Sequence, residues 1–133
     1  MGNYSLQVTG KITNNSGYEG AGVTVSGSTF NMEGGEISGN KGEGTSGGVY
    51  LVSSSIMNMN DGTIKNNSAK NVGAHLGAGG VHIGSGCTFT GSSDPNTTAS
   101  ITGNTVNGTN VDVYVQNGGI YNPVNVQVDV KKP

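Results

Sequence analysis

The chain has 133 residues, enough for one domain, yet only 32% of them are hydrophobic and 11% charged, while 25 are Gly. A net charge of −2 with no Arg and only six Lys argues against binding to nucleic acid or to a membrane surface, and no run approaches the ~20 apolar residues of a membrane-spanning helix. Disorder is excluded in turn, because the scarce apolar residues alternate with polar ones, as strands with one buried face require. A single cysteine, Cys87, leaves no internal disulfide and no Cys-based metal site.

Met1-Gly2-Asn3-Tyr4 lacks the basic start and apolar run of a signal peptide, and with almost nothing in Met1 to Ser5 to cap a stack the chain is expected to start within a coil, as if cut from a longer protein or joined to another copy. Gly10-Lys11-Ile12-Thr13-Asn14-Asn15 opens a pattern that Phe30-Asn31-Met32-Glu33-Gly34-Gly35-Glu36-Ile37-Ser38-Gly39-Asn40 carries in full. Met57 to Asn67 repeats it, and Ser100-Ile101-Thr102-Gly103-Asn104 repeats its second half. A second motif follows each copy: Ala21 to Val25, Gly47 to Leu51, Gly79 to Ile83 and, without its glycines, Asn110 to Val113. Ser28-Thr29-Phe30 and Cys87-Thr88-Phe89 begin the cycle. The anchors Ile12, Ile37, Ile64 and Ile101 recur every 25 to 37 residues, within the range of stacked repeats. Helical repeats fail, since no segment has helical apolar spacing and Gly is too frequent for helix interiors.

The predicted fold is all-β: a right-handed parallel β-helix, or β-solenoid, of about four coils with three short strands each, the hand set by the crossover rule. Stacking predicts columns. Ile12, Ile37, Ile64 and Ile101 form one aliphatic ladder, Val23, Val49, Val81 and Val111 a second, and Leu6, Phe30, Met57 and Phe89 a third, with Cys87 a small inward residue. Asn15, Asn40, Asn67 and Asn104 form an amide column at a turn. Gly34-Gly35, Gly47-Gly48 and Gly79-Gly80 are read as tight-corner residues of positive φ. Residues 1–133 form a single domain, and 116–133, with Val124, Val126, Val128 and Val130 alternating before Lys131-Lys132-Pro133, supply a strand that completes or caps the last coil.

The pattern Phe30-x-Met32-x-Gly34-Gly35-x-Ile37-x-x-Asn40, followed by Gly47-Gly48-Val49-Tyr50, resembles β-helix repeats of bacterial surface and secreted proteins, including polymorphic outer-membrane protein and autotransporter-adhesin types. The resemblance spans Leu6 to Val115 and implies an extracellular or cell-surface location as part of a longer exported chain. It also implies stalk or adhesive roles toward a host or microbial glycan or a surface protein.

Candidate binding residues divide into two groups. Tyr50, His82 and Asp112 are expected side by side on one outward sheet as an aromatic and polar strip. Asn71 and His75, and Asp94 and Asn96, stand on two insertions, Ala69 to Leu76 and Gly91 to Thr98, expected as outward loops that carry any binding specificity. No metal site is expected: His75 and His82 lack a third ligand, and Asp94-Pro95-Asn96 is explained by a turn as readily as by calcium. No cofactor is expected. Glu33 and Asp61 on neighbouring coils are the one pair that could act as paired carboxylates in a polysaccharide-processing enzyme. Lys11 beside Glu36 reads as a cross-strand ion pair. Ice binding needs a regular outward array, and the columns Thr24, Tyr50, His82, Asp112 and those flanking the isoleucines are chemically mixed. The leading reading is a non-catalytic structural or adhesive segment.

Overall fold

The computed structural model describes residues 3–6, 10–70, 77–123, 125–128 and 130–131, and among these the chain is all-β, without helix. Three sheets collect the strands. The first takes Asn3–Leu6, Thr29–Ser38, Ile56–Lys65, Thr88–Thr90 and Ile120–Asn122 as successive neighbours, with Lys11–Thr13, Ser100–Thr102 and Gln127–Val128 extending it sideways. The second holds Ser16–Gly17, Lys41–Gly42, Ser68–Ala69 and Thr105–Val106 in parallel, then Thr109–Asn110 antiparallel. The third holds Val23–Ser26, Val49–Val52, Val81–Ile83, Val113–Val115 and Val130–Lys131, all parallel. In each of the first four cycles the chain visits first, second and third sheet in that order, so each strand pairs with its counterpart one cycle away.

The isoleucines pair in register as Ile12 with Ile37, Ile37 with Ile64, and Ile64 with Ile101, and the last three are fully buried. Phe30, Met57, Phe89 and Tyr121 make a second inward column, and Met32 lies beside Met59. Cys87 is fully buried within the same core. Two expected columns need correction. Leu6 registers with Met32, and it is Tyr4 that pairs with Phe30. The valine column runs Val23, Val49, Val81 and Val113, not Val111.

The C-terminal segment also differs from the single alternating strand expected. Ile120–Asn122 joins the first sheet, a turn closed by Val126 N–H to Pro123 C=O follows, and Gln127–Val128 and Val130–Lys131 pair in two different sheets. These strands begin a fifth cycle. Pro123 has no N–H for a ladder, which breaks the run there.

The asparagine column joins the cycles along a turn. Asn40 donates its backbone N–H and Nδ2 to Asn67 Oδ1, at 3.0 and 2.9 Å, and its second Nδ2 proton to Ile12 C=O at 3.0 Å. Asn67 does the same to Asn104 Oδ1 and Ile37 C=O, and Asn15 donates both groups to Asn40 Oδ1. Asn40, Asn67 and Asn104 are at most 1% exposed, so every buried amide atom of Asn40 and Asn67 is used. The residue before each column member has positive φ: Asn14 60°, Gly39 65°, Asn66 56° and Gly103 68°. Only Gly and Asn take that conformation cheaply, which is why this position alternates between them.

The glycine pairs have a different cause from the one expected. Gly47, Gly48, Gly79 and Gly80 are not at positive φ; a Cβ on Gly48 would lie 2.5 Å from Gly80 C=O and 3.3 Å from Asn67 Nδ2, and one on Gly80 would lie 2.3 Å from Asp112 C=O. They allow backbone of successive cycles, and the amide column, to approach. Gly34-Gly35 is not a corner either: it forms a bulge inside Thr29–Ser38, with Gly35 at φ 78°, where the register with Ile56–Lys65 shifts.

Replacing Ile64 by Ala opens a void between two rungs and is expected to cost ~2 to 5 kcal/mol in chemical denaturation. Asn67→Asp removes both Nδ2 donors and sets a carboxylate against Ile37 C=O and Asn104 Oδ1, at a cost of about 3 kcal/mol or more near neutral pH. Equal stability of Asn67→Asp and the parent in the same experiment would contradict the column.

Candidate functional site

His82 stands on the third sheet, but its in-register neighbours are Tyr50 and Tyr114, and Asp112 is elsewhere. The Tyr50 and His82 ring centroids are 5.1 Å apart and nearly perpendicular, and those of His82 and Tyr114 are 5.3 Å apart. His82 is 4% exposed and Tyr114 7%, so this strip is a packed aromatic column rather than an outward contact surface. Tyr114 is shared with a small second cluster of Ala69, Ala78, Val106 and Val111. Burial raises the Tyr50 hydroxyl above its ordinary pKa, with Glu19 adding to the effect.

Asp112 is 2% exposed and has a structural task. Val113 aligns with Val81 and Val49, so Asp112 occupies the place of Gly80 and Gly48 in the last full cycle. In earlier cycles that place is kept empty for the next column asparagine. Here the carboxylate enters it instead: Asp112 Oδ1 accepts both Asn104 N–H and Asn104 Nδ2 at 2.9 Å, and Oδ2 accepts Asn110 Nδ2 at 3.1 Å. All amides of the column point their N–H ends toward it, an arrangement that favours an anion as a helix N-terminus does. The sequence reading placed Asp112 two residues out of register because Val111 and Val113 fit the column equally well by type.

Asn71 and His75, and most of the first insertion, lie outside the described residues; Ala69 belongs to a second-sheet strand and is buried. Asp94 and Asn96 are exposed on a turn in which Asn96 N–H bonds Asp94 Oδ1 at 2.9 Å and Thr97 N–H bonds Asp94 C=O at 3.2 Å. The second insertion is fastened down rather than free. Thr97 Oγ1 donates to Asn60 C=O, Thr98 Oγ1 donates to Asp61 Oδ1 at 3.0 Å, and Asn125 Nδ2 holds the C=O of buried Ser92.

Glu33 and Asp61 are register partners across the bulge. Both Glu33 oxygens accept from Asn60 Nδ2, at 3.0 and 3.1 Å. Asp61 accepts Gly62 N–H at 2.8 Å, and this bond, helped by Thr98 and Thr97 against a desolvation cost, holds its carboxyl below the ordinary range. Such a group is a poor proton donor, which disfavours Asp61 as the acid of a carboxylate pair. Beside it lies a groove of about 310 Å³ lined by Lys11, Glu36, Asp61, Thr63, Thr98 and bulge glycines. Glu36 is lowered chiefly by the Ser38 hydroxyl, then by Lys65 and Lys11; its ion pair, at 3.8 Å, is with Lys65, not Lys11 as expected.

The outward face of the first sheet carries two columns that the sequence reading missed. Thr29, Ile56, Thr88 and Ile120 stand in register, and two residues along stand Asn31, Asn58, Thr90 and Asn122. Ile56 is 41% exposed and Ile120 51%, and Asn58 Nδ2 bonds Asn31 Oδ1 at 2.9 Å. The signal was available: Thr29-Phe30-Asn31, Ile56-Met57-Asn58, Thr88-Phe89-Thr90 and Ile120-Tyr121-Asn122 share a β-branched, apolar, amide-or-hydroxyl triplet. It was hidden because Thr29 was matched only with Thr88, and neither Ile56 nor the triplet Ile120-Tyr121-Asn122 was set in the same column. No protein-family model, curated protein or solved structure matches the chain.

Because Asp61 ionises more readily folded than unfolded, its stabilising contribution is present above the unfolded pKa and lost as pH falls through the folded one. A carbon-detected NMR titration is expected to place the Asp61 midpoint below 3.8, and Thr98→Val to move it upward. A midpoint at or above 3.8 would remove the proposed bonding.

Proposed function

We propose that the chain is a segment of right-handed parallel β-helix from a bacterial surface or secreted protein, non-catalytic, whose first-sheet face meets a glycan. The recurring order of visits to three parallel sheets supports the β-helix, and the crossover rule supports its hand. The resemblance of its repeats to those of exported adhesins supports the location. The observation that carries the binding role is the pair of uncharged columns on the first sheet. A stripe of methyl groups from Thr29, Ile56, Thr88 and Ile120 runs beside a stripe of amides and hydroxyls from Asn31, Asn58, Thr90 and Asn122. Pyranose rings present the same combination, an apolar C–H face edged by hydroxyls. Exposed isoleucines beside polar donors are the composition of a contact surface. Rungs ~4.8 Å apart repeat this offer along the stack, so a linear glycan can use several rows at once.

The test is binding of the chain to arrayed and immobilised neutral polysaccharides, with product analysis of the bound material. Retention without release of reducing ends is expected, and Ile56→Lys with Ile120→Lys should weaken it about tenfold while leaving the denaturation midpoint near the parent value. Release of reducing ends or unsaturated sugar, abolished by Glu33→Gln or Asp61→Asn, would instead establish a polysaccharide-processing enzyme. Binding indifferent to the isoleucine changes, or no glycan binding at all, would refute the role given to this face.

A further inference from the structure

The strands Thr29–Ser38 and Ile56–Lys65 depart from regular pairing at the same place, around Gly34-Gly35 in one and Asp61-Gly62 in the other, with Gly35 at φ 78° and Gly62 at φ 100°. A Cβ on Gly62 would lie 2.8 Å from Gly34 C=O, so the two irregular stretches nest only because glycine stands there. Bulges re-aim side chains and recur beside functional sites. Here they open the groove of about 310 Å³, lined by glycine backbone and by Lys11, Glu36, Asp61, Thr63 and Thr98.

The polar groups of this groove are held in place by the protein itself. Asp61 Oδ1 accepts Gly62 N–H at 2.8 Å and the Thr98 hydroxyl at 3.0 Å, and Glu36 Oε1 accepts the Ser38 hydroxyl. The second insertion supplies Thr98 as one wall and is pinned by Thr97 Oγ1 to Asn60 C=O. Two accepting carboxylates, two threonine hydroxyls and one ammonium, with no large apolar side chain among them, suit a hydroxyl-rich ligand and not an apolar one. Asp61 and Glu36 stand against Lys11, with Lys65 at 3.8 Å from Glu36, so there is no excess of positive charge to hold an acidic sugar.

Position on the sheet narrows the ligand further. The columns of Thr29, Ile56, Thr88, Ile120 and of Asn31, Asn58, Thr90, Asn122 run along the stack, whereas Asp61 follows Asn58 by three residues along the strand, ~10 Å to the side at ~3.3 Å per residue. A linear glycan that follows the columns passes the groove without entering it. A short branch reaches it.

We propose that the groove is a subsite for a short uncharged branch of the glycan, whose neighbouring hydroxyls donate to Asp61 and Glu36 and one of whose oxygens accepts from Lys11. This rests on the reading of the first sheet as a glycan-binding face, and it adds the kind of glycan: a neutral polysaccharide whose main chain follows the columns and whose side units enter the groove. Hydrogen bonds to ionised groups are the stronger ones, so the branch adds affinity to what the columns supply.

The experiment is calorimetric titration of the chain with soluble oligosaccharide pairs that differ in branching: manno- against galactomanno-oligosaccharide, and xylo- against arabinoxylo-oligosaccharide, with glucuronic acid-bearing xylo-oligosaccharide as the acidic comparison. In the pair whose main chain binds, the branched member is expected to bind about tenfold more tightly than the linear one. Asp61→Asn with Glu36→Gln, and separately Thr63→Phe, which fills the groove, should erase that difference and leave the affinity of the linear member unchanged. Ile56→Lys with Ile120→Lys should weaken both members alike. Equal affinity for the two members, a preference for branches that survives both groove variants, an equal gain from the acidic branch, or branch binding that requires added calcium would each overturn the inference while leaving the glycan-binding face standing. Binding of no member of either pair would remove that reading and the inference with it.

Discussion

Close approach of backbone between successive cycles is the constraint on which the rest depends. A chain with so few apolar residues cannot hold itself together by a thick core; it holds together by pairing each strand with its counterpart and threading an amide column through the turn. The column has room only because Gly22, Gly48 and Gly80 present no Cβ to Asn40, Asn67 and Asn104. The turn that delivers each asparagine needs a positive φ, met by Asn14, Gly39, Asn66 and Gly103. Abundance of Gly and Asn is therefore a consequence of geometry and not a sign of looseness.

The division of labour between inside and outside follows. Inward positions are occupied by aliphatic ladders, and the buried amides of Asn40 and Asn67 have all their hydrogen bonds within the stack. Aromatic residues of the third sheet are packed around His82. What faces outward in a regular way is the first sheet, where register alone turns a three-residue sequence pattern into rows. The bulge at Gly34-Gly35 and Gly62 bends that same sheet and places Asp61, Thr63 and Glu36 around a groove at its side.

Much of this was legible in the sequence, for identifiable reasons. The isoleucine and asparagine columns were legible because type and spacing both recur, and a stacked repeat gives such recurrence a physical use. Val111 was misplaced because the last cycle has no further rung of the second sheet to crowd it, so Val111-Asp112 replaces the glycines that would have marked the register. The role of Asp112 was illegible for the same reason: the two-residue shift takes it off the strand position of His82 and onto the place of Gly80 just before the strand, where its carboxylate meets Asn104. The triplet ending in Ile120-Tyr121-Asn122 was overlooked because the valine alternation after Pro123 drew the whole segment into one strand. Burial of Tyr121, which raises its hydroxyl pKa beside Asp112, is visible only once the fifth rung is in place.

The most direct measurement is exchange of side-chain amide protons with solvent, followed residue by residue in nitrogen-15 NMR. A stack locked by its amide column requires slow exchange at Nδ2 of Asn40, Asn67 and Asn104, with contacts from Asn40 and Asn67 to the rungs on both sides and from Asn104 to Ile64 and Asp112, and fast exchange at exposed Asn14, Asn66 and Asn107. Uniformly fast exchange across all six would contradict it, because amides bonded on both protons inside a parallel stack cannot be as open to water as those on its turns.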